Sequence, residues 1–178
     1  IARRLRDACS RTLRKRGLVI ALSSGIDSSV CGALAVHALG ADKVFGLILP
    51  ERDSSPDSAR HAELLARHLG IEYRIEDIAP TLEAIGCYRW RDEAIRRAVP
   101  AYDAGWRTKI VIRGGLNGRI NHFYLVAQAP DRGVHEVRLE LPEYLQIVAA
   151  TNFKQRIRKT LEYFHADRLN YAVIGTPN

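Results

Sequence analysis

The chain has 178 residues, of which 47% are hydrophobic, a length and composition that suit one domain with a real core and argue against disorder. No apolar run is long enough to span a membrane, and the basic first sixteen residues lack the apolar segment and cleavage site of a signal peptide. We therefore expect a cytoplasmic protein that makes no membrane contact. The three cysteines, which are Cys9, Cys31 and Cys87, are widely spaced and form no CxxC pair, which argues against a disulfide framework or a zinc site.

Most of the formal net charge of +7 comes from the first sixteen residues, which hold seven basic residues and one aspartate. The less polar residues among them fall at helical spacing, which predicts an amphipathic helix with a basic outer face. Its inner face would consist of Ile1, Leu5, Ala8, Cys9, Thr12 and Leu13. A solvated helix face is the simplest interpretation, and a subunit contact and a polyanion contact are the alternatives. Because the chain contains no methionine, we expect the natural sequence to begin before Ile1.

Strand and helix patterns then alternate along the chain. Apolar runs predict three buried strands, at 18–22, 43–49 and 71–78. Helical spacing predicts helices over 30–39, 56–69 and 80–85. Ser55 is a suitable N-cap for the second of these helices, Pro56 suits its first position, and Gly70 ends it. This alternation predicts an α/β fold in which a doubly wound parallel sheet carries helices on both faces.

Residues 87–150 interrupt the alternation. A helix is predicted at 88–99, followed by short strands of antiparallel character at 108–113, 123–128 and 134–139, with turn signals between them. The α/β pattern resumes with a helix over 152–166 and a strand over 171–175. We therefore predict a single domain over 1–178 that is truncated at its C-terminal end and contains a strand-rich insertion at about 87–150.

The segment S-S-G-I-D-S-S, residues 23–29, lies between the first predicted strand and its helix. Small residues and hydroxyls at such a turn are typical of a phosphate-binding loop, since Gly25 allows close approach of an anion and the helix amides donate N–H groups. Asp27 would repel a bare phosphate, so it indicates a divalent cation, Mg²⁺, between carboxylate and phosphate. The alternative is an ordinary capped helix N-terminus. The segment matches neither the Walker loop nor the G-x-G-x-x-G fingerprint.

The segment resembles the S-G-G-x-D-S/T loop of the N-type ATP pyrophosphatases, the group that contains NAD synthetase, GMP synthetase, asparagine synthetase and certain tRNA-modifying enzymes. Ser24 stands where the first glycine of that loop is usual. If this position requires a positive φ, we expect serine to destabilise the loop relative to glycine.

Two further stretches resemble NAD synthetase in particular. They are L-P-E-R-D-S-S-P-D-S at 49–58 and N-F-K-Q-R-I-R at 152–158, the latter followed by a strand and Gly175-Thr176. The resemblance covers about 18–85 and 151–178 and depends on the order and spacing of the motifs together.

The resemblance implies a role for each matching position. The ATP phosphates would be bound by Ser23, Ser24, Gly25, Ile26, Asp27, Ser28 and Ser29. Asp27 would also be a Mg²⁺ ligand, and Thr176 would lie at the ATP site. Arg156 would contact deamido-NAD, with Arg158 a second substrate-binding candidate. Apart from the motif, Arg156 reads as an ordinary exposed arginine.

The reaction that the resemblance implies is adenylation followed by amide formation. The carboxylate of deamido-NAD attacks the α-phosphate of ATP, pyrophosphate leaves, and ammonia then displaces AMP to give NAD, with no side chain acting as a covalent nucleophile. The expected cofactors are ATP and Mg²⁺. A homodimer is expected, ammonia is free or comes from a glutaminase domain or partner outside this chain, and nucleic acid is not expected.

Three questions stay open at this stage. The segment 87–150 is longer than expected for an NAD synthetase, so another carboxylate could be the substrate. A tRNA-modifying ATP pyrophosphatase and a non-catalytic nucleotide-binding or assembly protein are the alternative functions. The family's second Mg²⁺ carboxylate would lie beyond Asn178.

Overall fold

The computed structural model of the protein describes residues 1–103, 105–114, 122–131 and 133–175. The chain divides into two compact units, one formed by Ile1–Thr81 with Gln155–Asn178 and the other by Leu82–Lys154. The second unit contains the segment 87–150. The assignment of the whole chain to a single domain with an insertion stays a prediction.

The first unit contains a parallel sheet and its helices, and the second contains an antiparallel sheet. In chain order, the elements are α1 (Ala2–Asp7), a π-helical turn (Ala8–Thr12), β1 (Leu18–Ala21), α2 (Ile26–Leu39), a 3₁₀ turn (Ala41–Lys43), β2 (Val44–Ile48), α3 (Pro56–Leu69), β3 (Glu72–Ile75), α4 (Ala79–Ile85), α5 (Cys87–Ala98), β4 (Arg107–Arg113), β5 (His122–Gln128), β6 (Val134–Arg138), α6 (Leu141–Leu169) and β7 (Ala172–Ile174).

The parallel sheet has the strand order β3-β2-β1-β7, and β1 pairs with both β2 and β7 in parallel. Alternate residues of each strand face opposite sides, as in any pleated sheet. On one side, Ile20 packs in a buried cluster with Ala35 of α2 and Ala62 of α3. On the other side, the ring of Phe45 stacks on His165 of α6, with centroids 5.2 Å apart. Helices therefore cover both faces, which confirms the predicted fold class.

The second unit confirms the three predicted antiparallel strands. β5 is the central strand and pairs with β4 and β6, with Tyr124 opposite both Val111 and Arg138. A buried apolar cluster in this unit contains Ile95 of α5, Leu125 of β5 and Ile147 of α6.

The prediction for α6 was wrong in extent, because the helix has 29 residues and begins at Leu141 rather than at 152. Its buried residues change character along its length. Ile147 and Ala150 are buried in the first half, whereas the polar Glu162 and His165 are buried in the second half. A helix without one continuous apolar stripe gives a weak periodic signal over its whole length. The helix α2 likewise begins earlier than predicted, at Ile26 instead of 30.

The N-terminal helix is confirmed, but its predicted apolar face is only partly buried. Cys9 is buried and Leu5 packs against the core of the first unit. Four other residues assigned to the inner face are exposed, so their assignment was wrong: Ile1 (86%), Ala8, Thr12 and Leu13 (55%). The Nε of Arg6 donates to the carbonyl of Ala38 at 2.8 Å, so this basic residue helps attach the helix to α2. None of the helices in the described parts of the chain is long and apolar enough to cross a membrane.

Candidate functional site

The loop of residues 23–29 follows β1, as predicted, and includes the first turn of α2. The amide of Ser29 donates to the carbonyl of Gly25 at 3.1 Å, which makes Gly25 the N-cap of α2. The amides of Ile26, Asp27 and Ser28 precede that first helical hydrogen bond, so they have no partner within the helix. They lie at the positive end of the helix dipole, where an anion is stabilised.

Three of the four serine hydroxyls in this loop stabilise the loop itself. The buried Ser28 hydroxyl donates to the Gly25 carbonyl at 3.0 Å, and Ser29 Oγ donates to the same carbonyl at 2.9 Å. Because the hydroxyl hydrogen of Ser28 is used there, Ser28 Oγ acts as acceptor for the Ser23 amide at 3.3 Å and for the Ser23 hydroxyl at 3.2 Å. Ser24 is the loop serine whose hydroxyl makes no hydrogen bond to the described residues.

The backbone of Ser24 is in the left-handed region, with a φ of 64°. Glycine is usual at this position of the loop, and we expected serine to destabilise the loop if the position required a positive φ. The position does have a positive φ. Gly25, in contrast, has a φ of −72°, which any residue adopts. A Cβ at Gly25 would lie 3.4 Å from Ser23 Oγ. The space above Gly25 is otherwise open within the described structure, so a ligand can approach the backbone there.

Asp27 is exposed and lies in the first turn of α2. The described residues contain no group of three or more His, Cys, Asp or Glu side chains that could hold a metal ion. A single carboxylate nevertheless fits Mg²⁺, which proteins often hold by one or two carboxylates together with substrate phosphates and water. The donor set present in the described residues is therefore compatible with a Mg²⁺ ion that arrives with a nucleotide.

The strand order places this loop at the topological switch point of the sheet. β1 lies between β2 and β7, and Ile20 is in register with Ile174, so the carboxyl ends of β1 and β7 lie side by side. Open α/β sheets bind ligands in the crevice outside such adjacent carboxyl ends. Residues 23–29 follow β1, and Gly175 follows β7 at the same edge. We call this location the switch-point crevice.

The segment 49–58 follows β2 at the same edge of the sheet. Its first residues form a tight turn in which Ser54 Oγ accepts from the Glu51 amide at 3.0 Å and the Glu51 carbonyl accepts from the Ser54 amide at 2.9 Å. Ser55 occupies the predicted N-cap position of α3, although its side chain makes no capping hydrogen bond.

An open groove of about 690 Å³ runs along one side of α6, and we call it the α6 groove. The described residues that line it are Gln155, Arg156, Lys159, Thr160, Tyr163, Phe164 and Asp167. Arg156 is exposed in this groove, which suits both the predicted substrate contact and an ordinary surface arginine, so its role stays a prediction. Arg158 is half-buried and is not among the described lining residues. Its positive charge instead acts on Glu162, one turn further along α6. Thr176, the predicted ATP-site threonine, lies outside the described residues.

Sequence reasoning missed an ion pair on the same helix whose carboxylate is buried. Lys159 Nζ donates to Glu162 Oε2 at 2.7 Å, and Glu162 is only 1% exposed. Burial raises the pKa of the Glu162 carboxyl, and the hydrogen bond and charge of Lys159 oppose that rise. The K-x-x-E spacing at 159–162 was the available signal, but on a surface helix this spacing is common and adds little.

The fold and the loop together define an α/β protein of the nucleotide-binding class, with a Ser/Gly/Asp loop at the switch point of a parallel sheet. The sequence model of the NAD synthase family matches residues 2–112, and the chain belongs to that family.

Curated relatives agree with this assignment. The NH(3)-dependent NAD(+) synthetase of Rhizobium meliloti (strain 1021) is 56% identical over 169 residues, which are 94% of this chain and 51% of the relative. The protein of the same name from Mesorhizobium japonicum is 55% identical over 175 residues, which are 98% of this chain and 55% of the relative. This chain thus spans about half the length of these relatives.

A solved structure shows the same fold at low identity. The NMN synthetase of Francisella tularensis superposes with a TM-score of 0.63 at 24% identity, covering 99% of this chain and 51% of the other. At that identity the similarity describes the fold alone.

Proposed function

We propose that this chain is the ATP-binding part of an ammonia-dependent NAD synthetase, a ligase that forms a carbon–nitrogen bond. The observation that carries the proposal is the loop of residues 23–29 at the switch-point crevice, in a chain more than half identical to relatives named NH(3)-dependent NAD(+) synthetase. The names of those relatives favour free ammonia as the nitrogen source. We also propose that the whole protein is a cytoplasmic homodimer.

In the proposed mechanism, the loop binds the triphosphate of ATP. The first amides of α2 donate N–H groups to phosphate oxygens, and the Ser24 hydroxyl is available to do the same. Asp27 would hold Mg²⁺, which neutralises charge on the phosphates and on the departing pyrophosphate. Arg156 in the α6 groove would bind an anionic group of deamido-NAD, and Thr176 would contact ATP.

The chemistry needs no protein nucleophile. A carboxylate oxygen of deamido-NAD attacks the α-phosphorus, and the bond from that phosphorus to the pyrophosphate oxygen breaks. The nitrogen of ammonia then attacks the acyl carbon, the bond to the AMP oxygen breaks, and the nitrogen loses a proton to give the amide. The protein contributes positioning and charge stabilisation, which in general supply much of the acceleration of such transfers.

The test measures AMP and NAD released by the full-length protein with ATP, Mg²⁺, ammonium and deamido-NAD. We expect equal amounts of both products, and a loss of at least about 100-fold in kcat/KM for Asp27→Asn. Asp42→Asn is the matched control, because Asp42 is also exposed but precedes β2, at the opposite edge of the sheet. If AMP formed only with another carboxylate, the proposed substrate would be wrong and the proposed adenylation reaction would stand. If no carboxylate gave AMP, the proposed function would be wrong.

A further inference from the structure

Lys159 and Glu162 form an ion pair whose two members differ sharply in exposure. The Lys159 side chain is half exposed, whereas that of Glu162 is 2% exposed, and their charged atoms are 2.7 Å apart. Removing a carboxylate from water is costly, and a buried ion pair is often no more stable than apolar residues of similar volume. The pair does, however, fix the position of the lysine ammonium, which on a free side chain would sample many rotamers.

The ammonium is fixed at the carboxyl end of β7. A Cβ added to Gly175, the residue that follows β7, would lie 3.5 Å from Lys159 Nζ. Gly175 is one residue beyond Ile174, which pairs with Ile20 of β1. Since adjacent strands are about 4.8 Å apart, Nζ lies near the carboxyl ends of both β7 and β1, beside the switch-point crevice.

Lys159 also lines the α6 groove together with Arg156, one turn earlier in α6. An α-helix rises about 1.5 Å per residue, so the Cα atoms of these two residues are about 4.5 Å apart along the helix axis. In the proposed function, the ligands at this location carry phosphates and a carboxylate. The Lys159 ammonium has three N–H donors, and Glu162 is its one hydrogen-bond partner among the described residues. Two donors thus remain for an anionic ligand.

We propose that Lys159 binds a phosphate oxygen of the ligand in the switch-point crevice, and that Glu162 is the positioning residue that holds its ammonium there. This inference rests on the proposed function, because that function supplies the phosphate ligand. The phosphate belongs either to ATP or to the dinucleotide, and the two sources are separated by measuring each ligand by itself. In the competing interpretation, Lys159 only neutralises the buried Glu162.

The experiment measures dissociation constants of the full-length protein for Mg·ATP and, separately, for deamido-NAD by calorimetry. We expect Lys159→Met to weaken one of the two about tenfold or more, as for loss of a charged hydrogen bond. Lys159→Arg should recover most of that affinity. Glu162→Gln keeps an oxygen acceptor for Nζ and should weaken the same ligand less. Arg67→Met is the matched control, since Arg67 also pairs with a glutamate on a helix, near the amino end of β3.

A double variant keeps the test valid if Lys159→Met folds poorly around an unpaired Glu162. Lys159→Met with Glu162→Leu removes both charges, so it should fold normally and still bind the ligand about tenfold more weakly. If the double variant bound both ligands like the wild type, the proposal would be wrong. That result is distinct from failure of the proposed function, in which the wild type itself would release no AMP.

Discussion

In the loop, Ser24 has the left-handed backbone conformation that glycine favours, whereas its neighbour Gly25 has an ordinary one. Ser24 has a φ of 64°, in the region that favours glycine, and its neighbour Gly25 has a φ of −72°, which suits any residue. The backbone conformation at position 25 therefore does not require glycine. The open space above Gly25 and the helix amides that follow it agree with the proposed nucleotide site at this loop.

The first prediction concerns the strain at Ser24. A left-handed conformation costs a non-glycine residue about 1–2 kcal/mol, and the greater freedom of glycine in the unfolded chain offsets part of the gain. We expect Ser24→Gly to raise the free energy of unfolding by about 0.5–1 kcal/mol in urea denaturation. Ser24→Ala removes the hydroxyl and keeps the strain, so it should give no gain. Equal stabilisation by both substitutions would show that the hydroxyl, and not φ, is responsible.

The second prediction separates stability from binding at Gly25. Because its φ is ordinary and a Cβ would lie 3.4 Å from Ser23 Oγ, Gly25→Ala should change the free energy of unfolding by less than about 0.5 kcal/mol. The same Cβ would occupy the space that the phosphates need, so the affinity for Mg·ATP should fall about tenfold or more. Thermal unfolding with and without Mg·ATP measures both effects.

Gly46 offers the opposite case as a control. It is buried in β2, and a Cβ there would lie 3.2 Å from Ile71 Cδ1 and 3.2 Å from Tyr73 Cβ. Gly46→Ala should destabilise the protein by about 1–3 kcal/mol through overpacking. If Gly25→Ala destabilised the protein to the same extent, the glycine would be required by the fold and not by a ligand.

The third prediction concerns the acid stability of the first unit. The hydrogen bond from the Tyr73 hydroxyl at 2.7 Å, followed by that from Arg67, lowers the pKa of Glu63. A carboxyl group with a lowered folded pKa stabilises the fold above its unfolded pKa of about 4.5, and this contribution is lost as the pH falls through the folded pKa. Tyr73→Phe should therefore make the free energy of unfolding fall less steeply below about pH 4.5.

Tyr171→Phe is the control for that measurement, because the Tyr171 hydroxyl donates to the backbone carbonyl of Asp42 and not to a carboxylate. Its acid slope should match the wild type. An unchanged slope in Tyr73→Phe as well would mean that the Tyr73 hydrogen bond to Glu63 does not contribute to the acid dependence.

The sequence predicted the sheet and the loop well because their signals are local. Buried parallel strands are nearly continuous apolar runs, as at 18–22 and 43–49, and a serine-rich turn between strand and helix is visible in seven residues. Glu162 and His165 were not predicted to be buried, since polar residues on a helix are usually exposed. Their burial depends on partners that the local sequence does not show, such as Glu76, which is 89 positions away from His165.

The fourth prediction concerns His165, which is fully buried in the first unit. Arg168 Nε donates to His165 Nδ1 at 2.9 Å, and an arginine can only donate, so Nδ1 carries no hydrogen. The ring hydrogen therefore lies on Nε2, which donates to Glu76 Oε1 at 2.9 Å. His165→Phe keeps a ring that can stack on Phe45 and removes both hydrogen bonds. We expect a loss of about 1–3 kcal/mol in the free energy of unfolding, at about 0.5–1.5 kcal/mol for each of the two lost hydrogen bonds.

Two further variants make this test specific to the hydrogen bonds. Glu76→Gln keeps an oxygen that accepts from Nε2, so its loss should be smaller than that of His165→Phe. His68→Phe alters an exposed histidine on α3 and should stay within about 0.5 kcal/mol of the wild type. Nitrogen-15 NMR of His165 reports the tautomer directly. A protonated Nδ1 would contradict the assignment, because it could not accept from Arg168 Nε. A His165→Phe variant as stable as the wild type would show that the two hydrogen bonds make no net contribution to stability.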